Sequence, residues 1–350
     1  MSKKTLLVLV VLLAVLAGAM WMSGRQAASP SGKSAVDGGR LLPSVDASTV
    51  RAIAIEDGVA TTHLAKVDGV WSVAEQDNYP ADFNRLREMM RAIDETENAQ
   101  VAEEGPAHLA EFGLAADAEP APIRVALEHA QGTTVLNLGK TREPRRSDPY
   151  WGAPAGRYVR VDEGPVLLIK EDIRMVAADP AQWWDRLLLE VAPESIRKME
   201  VGSADGTFAI ERGTNGAFAA VGAAEGETVE EGAADRLFGA LGNLRAEKIL
   251  APEESAAAFS NAVSCVAETE GATYRIQLGE ALADQGDGRP IKIETTAETS
   301  KRLNGRTFLI PAYLADVLVM KKDILIRKAD KAPKPPPVPD APAPETTAAP

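Results

Sequence analysis

Two apolar rhythms alternate along this chain, and they predict strands and helices in an order that occurs twice. From Ser48 to Ile55 (STVRAIAI), Arg51, Ile53 and Ile55 share one side of a period-two pattern, the signature of a half-buried strand. From Glu194 to Val201 (ESIRKMEV), Arg197, Met199 and Val201 do the same 146 residues later. A second strand follows each: Thr62, Leu64 and Lys66 match Phe208, Ile210 and Arg212. Asp68-Gly69 and Asn215-Gly216 are hairpin dipeptides, because glycine accepts positive φ there. Val70-Trp71 and Ala217-Phe218 come next, so Trp71 and Phe218 are expected to be equivalent core aromatics.

The period then changes to 3.6. Phe83, Leu86, Met89, Met90 and Ile93 form one apolar stripe, with Asp82 placed to cap the helix, and Ala234, Leu237, Ala240, Leu241 and Leu244 repeat that spacing. Further on, Val135 to Gly139 (VLNLG) matches Arg275 to Gly279 (RIQLG). Apolar strands are expected at Val166 to Ile169 and Thr307 to Ile310, followed by short helices at Glu171 to Val176 and Ala312 to Leu318. The expected class is therefore α+β: two tandem repeats, each a mainly antiparallel sheet with a packed helix. A single α+β domain with coincidental internal similarity is the alternative.

The ends differ in character. Thr5 to Met22 is an 18-residue uncharged stretch behind Lys3 and Lys4. At about 1.5 Å per residue it spans about 27 Å, close to the roughly 30 Å of a bilayer core. The lysines predict a cytoplasmic N-terminus and an exported body, periplasmic in a Gram-negative cell. A cleaved signal peptide is the competing reading, with Leu6 to Leu16 as its apolar region and Ala17-Gly18-Ala19 as the cleavage site. The run continues through Met20, Trp21 and Met22, which favours an anchor. Residues 23–40 read as a Ser/Gly/Ala tether, and residues 329–350 as a Pro/Ala-rich tail. Within that tail, Pro333-Lys334-Pro335-Pro336 matches a PxxP ligand or, more simply, belongs to a disordered spacer. The expected layout is thus 1–4 cytoplasmic, 5–22 transmembrane, 23–40 linker, 41–190 first repeat, 191–328 second repeat and 329–350 tail.

Composition narrows the chemistry. With 38 Lys+Arg against 51 Asp+Glu, the net charge is −13, a poor match for nucleic acid. One cysteine, Cys265, excludes a disulfide framework within the chain, and three histidines leave little for a His-based metal cluster. No nucleophile elbow, Walker A loop, G-x-G-x-x-G or H-E-x-x-H motif occurs. Gly202-Ser203-Ala204-Asp205-Gly206 reads as a hairpin turn, and Asp284-Gln285-Gly286-Asp287-Gly288 as an exposed acidic loop with a faint calcium-loop look. His63 is expected at the surface, Cys265 in the core, and Glu225, Glu227, Glu230 and Glu231 in a solvated loop.

The order of motifs resembles the domain of unknown function 4340 family. The carrying residues are the apolar anchor, Lys66-Val67-Asp68-Gly69-Val70-Trp71, Pro80-Ala81-Asp82, Leu138-Gly139, Tyr158-Val159-Arg160 and Trp184-Asp185-Arg186. Members of that family lack an established activity and accompany ABC-2-type export systems such as those of gliding motility. The resemblance therefore implies an auxiliary envelope protein and supplies no catalytic residues. The second half departs from the pattern: Phe218 stands where the first has Trp71, and nothing like Tyr-Val-Arg is evident.

The candidate interaction loop is basic and aromatic: Arg142, Arg145, Arg146, Tyr150 and Trp151, within a run from Lys140 to Arg160 that holds six basic residues against Glu143 and Asp148. Arg, Tyr and Trp are the types enriched in binding hot spots. The alternative is a hairpin loop whose aromatics cover the core edge. Trp183 and Trp184 are candidates for a contact between the two repeats. The sequence thus suggests a non-enzymatic, single-pass bacterial inner-membrane protein. Its exported body would be an accessory or scaffold subunit of an ABC-type permease complex, without cofactor or metal. A free-standing periplasmic module binding envelope glycan or peptide is the alternative, and a hydrolase with a dispersed acid–base pair is a third class.

Overall fold

The computed structural model describes residues 40–328, apart from 44, 97–99, 104, 143–155, 171–172, 174, 204–205 and 283–285. The expected anchor at 5–22 and the tail at 329–350 lie outside the described residues. Among the described residues no helix is long and apolar enough to cross a membrane. The chain divides into two compact units between Arg186 and Leu187, four residues before the expected boundary. The sheets are antiparallel and the helices few, so the class is α+β.

The first unit contains β1 (Ala52–Glu56), β2 (Thr61–Val67), β3 (Val70–Val73), β4 (Tyr79–Pro80), β5 (Gln100–Glu103), β6 (Ile123–His129), β7 (Gly132–Thr141), β8 (Arg157–Val161) and β9 (Val166–Ile169). They form one antiparallel sheet in the order β4-β3-β2-β1-β6-β7-β8-β9-β5. The β2–β3 hairpin closes on Asp68 (φ 51°) and Gly69 (φ 84°), with Val67 opposite Val70, so the Asp-Gly dipeptide makes the two-residue turn it predicts. Ile53 and Ile55 lie opposite Leu64 and Thr62, and all four are buried. The expected strand from Ser48 starts only at Ala52, because Asp46 accepts from the Ser48 N–H at 2.8 Å and turns Ala47–Thr49 into a 3-10 helix.

The helix Phe83–Glu95 starts where its cap predicts: the Asp82 side chain accepts from the Arg85 N–H at 3.1 Å. It buries Leu86, Met89 and Ile93, each a contribution of roughly 1.5–3 kcal/mol. Phe83 leaves the stripe and is 58% exposed, since it lies in the first turn, ahead of the covered face.

The second unit contains β10 (Leu187–Leu189), β11 (Ile196–Ser203), β12 (Gly206–Arg212), β13 (Phe218–Ala220), β14 (Glu227–Val229), β15 (Leu244–Arg245), β16 (Lys248–Leu250), β17 (Val263–Thr269), β18 (Thr273–Leu278), β19 (Arg289–Thr295), β20 (Thr307–Ile310) and β21 (Ile326–Lys328). The main sheet runs β13-β12-β11-β17-β18-β19-β20-β16, with β10-β15 and β14-β21 as separate two-stranded pairs. A 3-10 helix, Pro193–Ser195, precedes β11.

The second helix, Glu231–Gly239, is shorter than the apolar spacing suggests. Leu241 and Leu244 are fully buried, but the chain has left the helix, and Leu244 pairs in β15. The acidic run before it is not merely a solvated loop: Glu227 pairs with Lys328, and Glu230 caps the helix by accepting from the Ala233 N–H. The short helix Ala312–Leu318 forms as expected, whereas Ile173, Met175 and Val176, described within the expected helix at 171–176, are not helical. Trp71 and Phe218 are half-buried rather than core. Each faces a basic residue across its hairpin: Lys66 lies 5.3 Å from the Trp71 ring and Arg212 4.6 Å from the Phe218 ring.

Candidate functional site

The expected interaction loop begins at Arg142; Arg145, Arg146, Tyr150 and Trp151 lie outside the described residues. Its base is well defined. Thr141 pairs with Arg157, and the Arg142 N–H donates to the Gly156 carbonyl at 2.8 Å, so the two ends of the loop are joined. Much of the basic run serves the backbone. Arg157 Nε donates to the Gly139 carbonyl at 3.0 Å, and Arg160 Nε and Nη2 donate to the Gly164 and Glu163 carbonyls at 2.9 and 3.0 Å. Lys140 Nζ reaches the Ala110 and Glu111 carbonyls at 3.4 Å, and the Tyr158 ring packs 4.8 Å from Phe112. These charges add side-chain donors to backbone carbonyls.

The β19 register resembles that of β8. Arg289-Pro290-Ile291 pair with Ile310, Leu309 and Phe308, as Arg157-Tyr158-Val159 pair with Ile169, Leu168 and Leu167. Arg289 Nε donates to the Gly279 carbonyl at 2.8 Å. The second unit thus holds a strand, written Arg-Pro-Ile-Lys, whose pairing pattern is like that of the Arg157 strand. The likeness is hard to see in the sequence because Pro290 stands where the first unit has Tyr158 and only the leading arginine is shared.

Trp183 and Trp184 belong to the first unit, and both are buried. Asp179 caps the 3-10 helix Pro180–Gln182, which delivers the two rings. Trp183 Nε1 donates to the Ala177 carbonyl at 2.7 Å, and Trp184 meets Tyr79 edge-on at 5.9 Å. Arg85 lies 4.9 Å from the Trp183 ring and also donates to Gln182 Oε1 at 3.1 Å. Arg186 lies 5.7 Å from the Trp184 ring. Arg85, Gln182, Trp184 and Arg186 border a recess of about 500 Å³.

A second recess, of about 410 Å³, was not anticipated. It lies between the Phe83 helix and the β2–β3 hairpin, and is lined by Trp71, Phe83, Leu86 and Met90 with Lys66, Arg87 and Arg91 around them. Sequence reasoning assigned all four apolar residues to the core. The signal that could have found the groove is Phe83 itself, an aromatic directly after an N-cap.

His63, expected at the surface, is half-buried and partnered. Its Nδ1 lies 2.6 Å from Glu75 Oε1, and the same carboxylate accepts the His63 backbone N–H. The carboxylate raises the pKa of the imidazole, against burial, which lowers it. Neither residue lines the two recesses. Cys265 is buried in β17, and loss of solvation pushes its thiol up to about 12.

The family model described as a domain of unknown function (DUF4340) matches residues 71–261, more than half of the chain. The chain belongs to the DUF4340 family. No curated protein and no solved structure matches it. The DUF4340 match starts at Trp71 and takes in the Asp82 cap, Leu138-Gly139, the Arg157 strand and the tryptophan pair. In this DUF4340 protein those residues make structural contacts: the Asp82 N–H donates to the Trp183 carbonyl at 2.6 Å, and the Asp185 N–H to the Pro80 carbonyl at 2.8 Å.

Proposed function

We propose that this DUF4340 protein is a non-enzymatic, single-pass inner-membrane protein whose exported body acts as an accessory or scaffold subunit of an ABC-type export complex. The observation that carries the reading is an 18-residue uncharged stretch, Thr5 to Met22, behind Lys3-Lys4 and ahead of a folded body. Support also comes from that body, whose most reactive-looking side chains are engaged in folding: Arg157 and Arg160 on carbonyls, Trp183 and Trp184 in the core, Cys265 in a strand. An anchored body of this kind acts by position, raising its effective concentration near a membrane partner.

We further propose that the body is a tandem duplication. The order β3-β2-β1-β6-β7-β8-β9-β5 has the form of β13-β12-β11-β17-β18-β19-β20-β16, which supports a common origin. So do the paired arginines, Arg157 on Gly139 and Arg289 on Gly279.

Crosslinking of the full chain in intact membranes tests the role. Recovery of a permease or its ATPase is the expected result. If instead the purified chain binds envelope glycan or peptide, and Arg145→Glu with Arg146→Glu abolishes this without a permease being present, the free-standing binding module replaces this reading.

A further inference from the structure

The groove between the Phe83 helix and the β2–β3 hairpin combines two features that seldom coincide in an acidic protein. Its floor is apolar and partly open, with Phe83 58% exposed and Trp71 half-buried. Its rim is basic, although the chain as a whole carries −13. Lys66, Arg87 and Arg91 are exposed, and Arg40 lies at one end, 3.3 Å from Asp94. Asp94 pairs with Arg40 and Glu95 with Arg91, while the partners of Lys66 and Arg87 are neutral: the Trp71 ring and the Asn84 amide, the latter at 3.1 Å. The rim therefore keeps a positive excess beside exposed aromatic surface. That is the make-up of a surface that settles into a headgroup layer: ring and aliphatic groups at the acyl boundary, cations on lipid phosphates.

The chain's course brings this surface to a bilayer. The first described residue, Arg40, touches Asp94, which lines the groove, and the next residue, Leu41, donates to the Thr96 carbonyl at 2.8 Å. The polypeptide arriving from the apolar stretch thus enters the fold at one end of the groove. Only 17 residues separate Met22 from Arg40, a reach of at most about 60 Å. We propose that the Trp71–Phe83 groove is a docking surface for the anionic headgroups of the membrane in which Thr5 to Met22 is lodged, holding the first unit against the bilayer. This rests on the anchoring reading above.

The test uses the full chain reconstituted in vesicles containing phosphatidylglycerol. Ser48, exposed on the groove rim, is changed to cysteine and labelled with an environment-sensitive dye; buried Cys265 stays unlabelled. Val59→Cys is the control, 96% exposed in the turn at the other end of β1. The expected result is a blue shift and quenching by bromine-substituted acyl chains at position 48, neither of them at 59. Both signals should fall by more than half in phosphatidylcholine alone, and likewise in Lys66→Glu with Arg87→Glu. A probe at 48 that reports water on anionic vesicles overturns the proposal. So does a shift that needs no lipid and grows with protein concentration, which would assign the groove to a second copy. Alkaline washing separates the two readings. A chain released by the wash refutes anchoring alone, because vesicles added afterwards still test the groove.

Discussion

The backbone N–H of Asp82 donates to the carbonyl of Trp183 at 2.6 Å, joining two segments a hundred residues apart in the chain. Around this bond Ala81 bridges to Trp184, and the Asp185 N–H reaches the Pro80 carbonyl. The Pro80-Ala81-Asp82 and Trp184-Asp185-Arg186 motifs thus form one short antiparallel seam. Asp82 has a second task there, since its side chain caps the helix that carries Arg85 onto the Trp183 ring. Two of the motifs that carry the family resemblance therefore have a role in folding.

Truncation at that seam should be expensive. Trp184→Ala removes a ring that is 2% exposed and is expected to cost about 3–5 kcal/mol, read from the urea unfolding midpoint of the first unit. Asp82→Ala keeps the backbone bond and loses only the cap, about 1 kcal/mol. Because the cap and the ring lie on adjoining sides of the same seam, the double variant should deviate from additivity by at least about 0.5 kcal/mol. Strict additivity would mean that cap and ring act independently.

The sequence carried the elements whose determinants are local. The Asp68-Gly69 turn, the Asp82 cap and the β9 and β20 strands follow from neighbouring residues, and all four formed. Features that depend on distant partners were hidden. The Arg157–Gly139 and Arg289–Gly279 bonds leave no periodicity, because a side chain reaching a carbonyl on the next strand obeys no spacing rule. Leu241 and Leu244 kept a helical spacing beyond Gly239 because burial, not helix, was what the spacing reported. The groove was hidden for the same reason. An apolar residue at a helix start reads as core unless its cover is known, and Phe83 is 58% exposed.

The His63–Glu75 pair makes stability depend on pH in a defined direction. Glu75 raises the imidazole pKa in the folded protein above the ordinary 6.5, so the bond's stabilisation is complete below that pH. It fades as pH rises through the raised folded value. The stability of the wild type, read from urea unfolding, should therefore fall as pH rises above the ordinary 6.5, by roughly 1 kcal/mol or less for a pair this accessible. His63→Gln should flatten that part of the profile. An unchanged slope in the variant would show that another group titrates.

Cys265 should be inert in the native protein. A thiol pushed up to about 12 and enclosed in β17 supplies almost no thiolate at neutral pH. An aromatic disulfide reagent should therefore release no chromophore from the folded chain, and one equivalent after unfolding in urea. Release from the native chain within minutes would place the thiol at the surface.

Gly139 and Gly279 give the sharpest test of the proposed duplication. Each follows a buried leucine at the end of the matching strand segment, Leu138 and Leu278, and each passes its carbonyl to an arginine. A methyl group at position 139 would run into the Phe112 carbonyl oxygen, and one at 279 would lie 2.9 Å from the Ala258 carbonyl oxygen. Both obstacles are backbone atoms held by a bond from the next residue, Lys140 to Phe112 at 2.9 Å and Glu280 to Ala258 at 2.8 Å, so neither can swing aside. Gly139→Ala and Gly279→Ala should each cost about 1–3 kcal/mol in urea unfolding, through overpacking. Gly271→Ala, with open space around its Cβ, should cost under about 0.5 kcal/mol. At both positions a close approach, and not turn geometry, calls for glycine, because neither residue has positive φ. A harmless Gly279→Ala beside a damaging Gly139→Ala would mean that the second half has lost the close approach, and with it the strongest local argument for duplication.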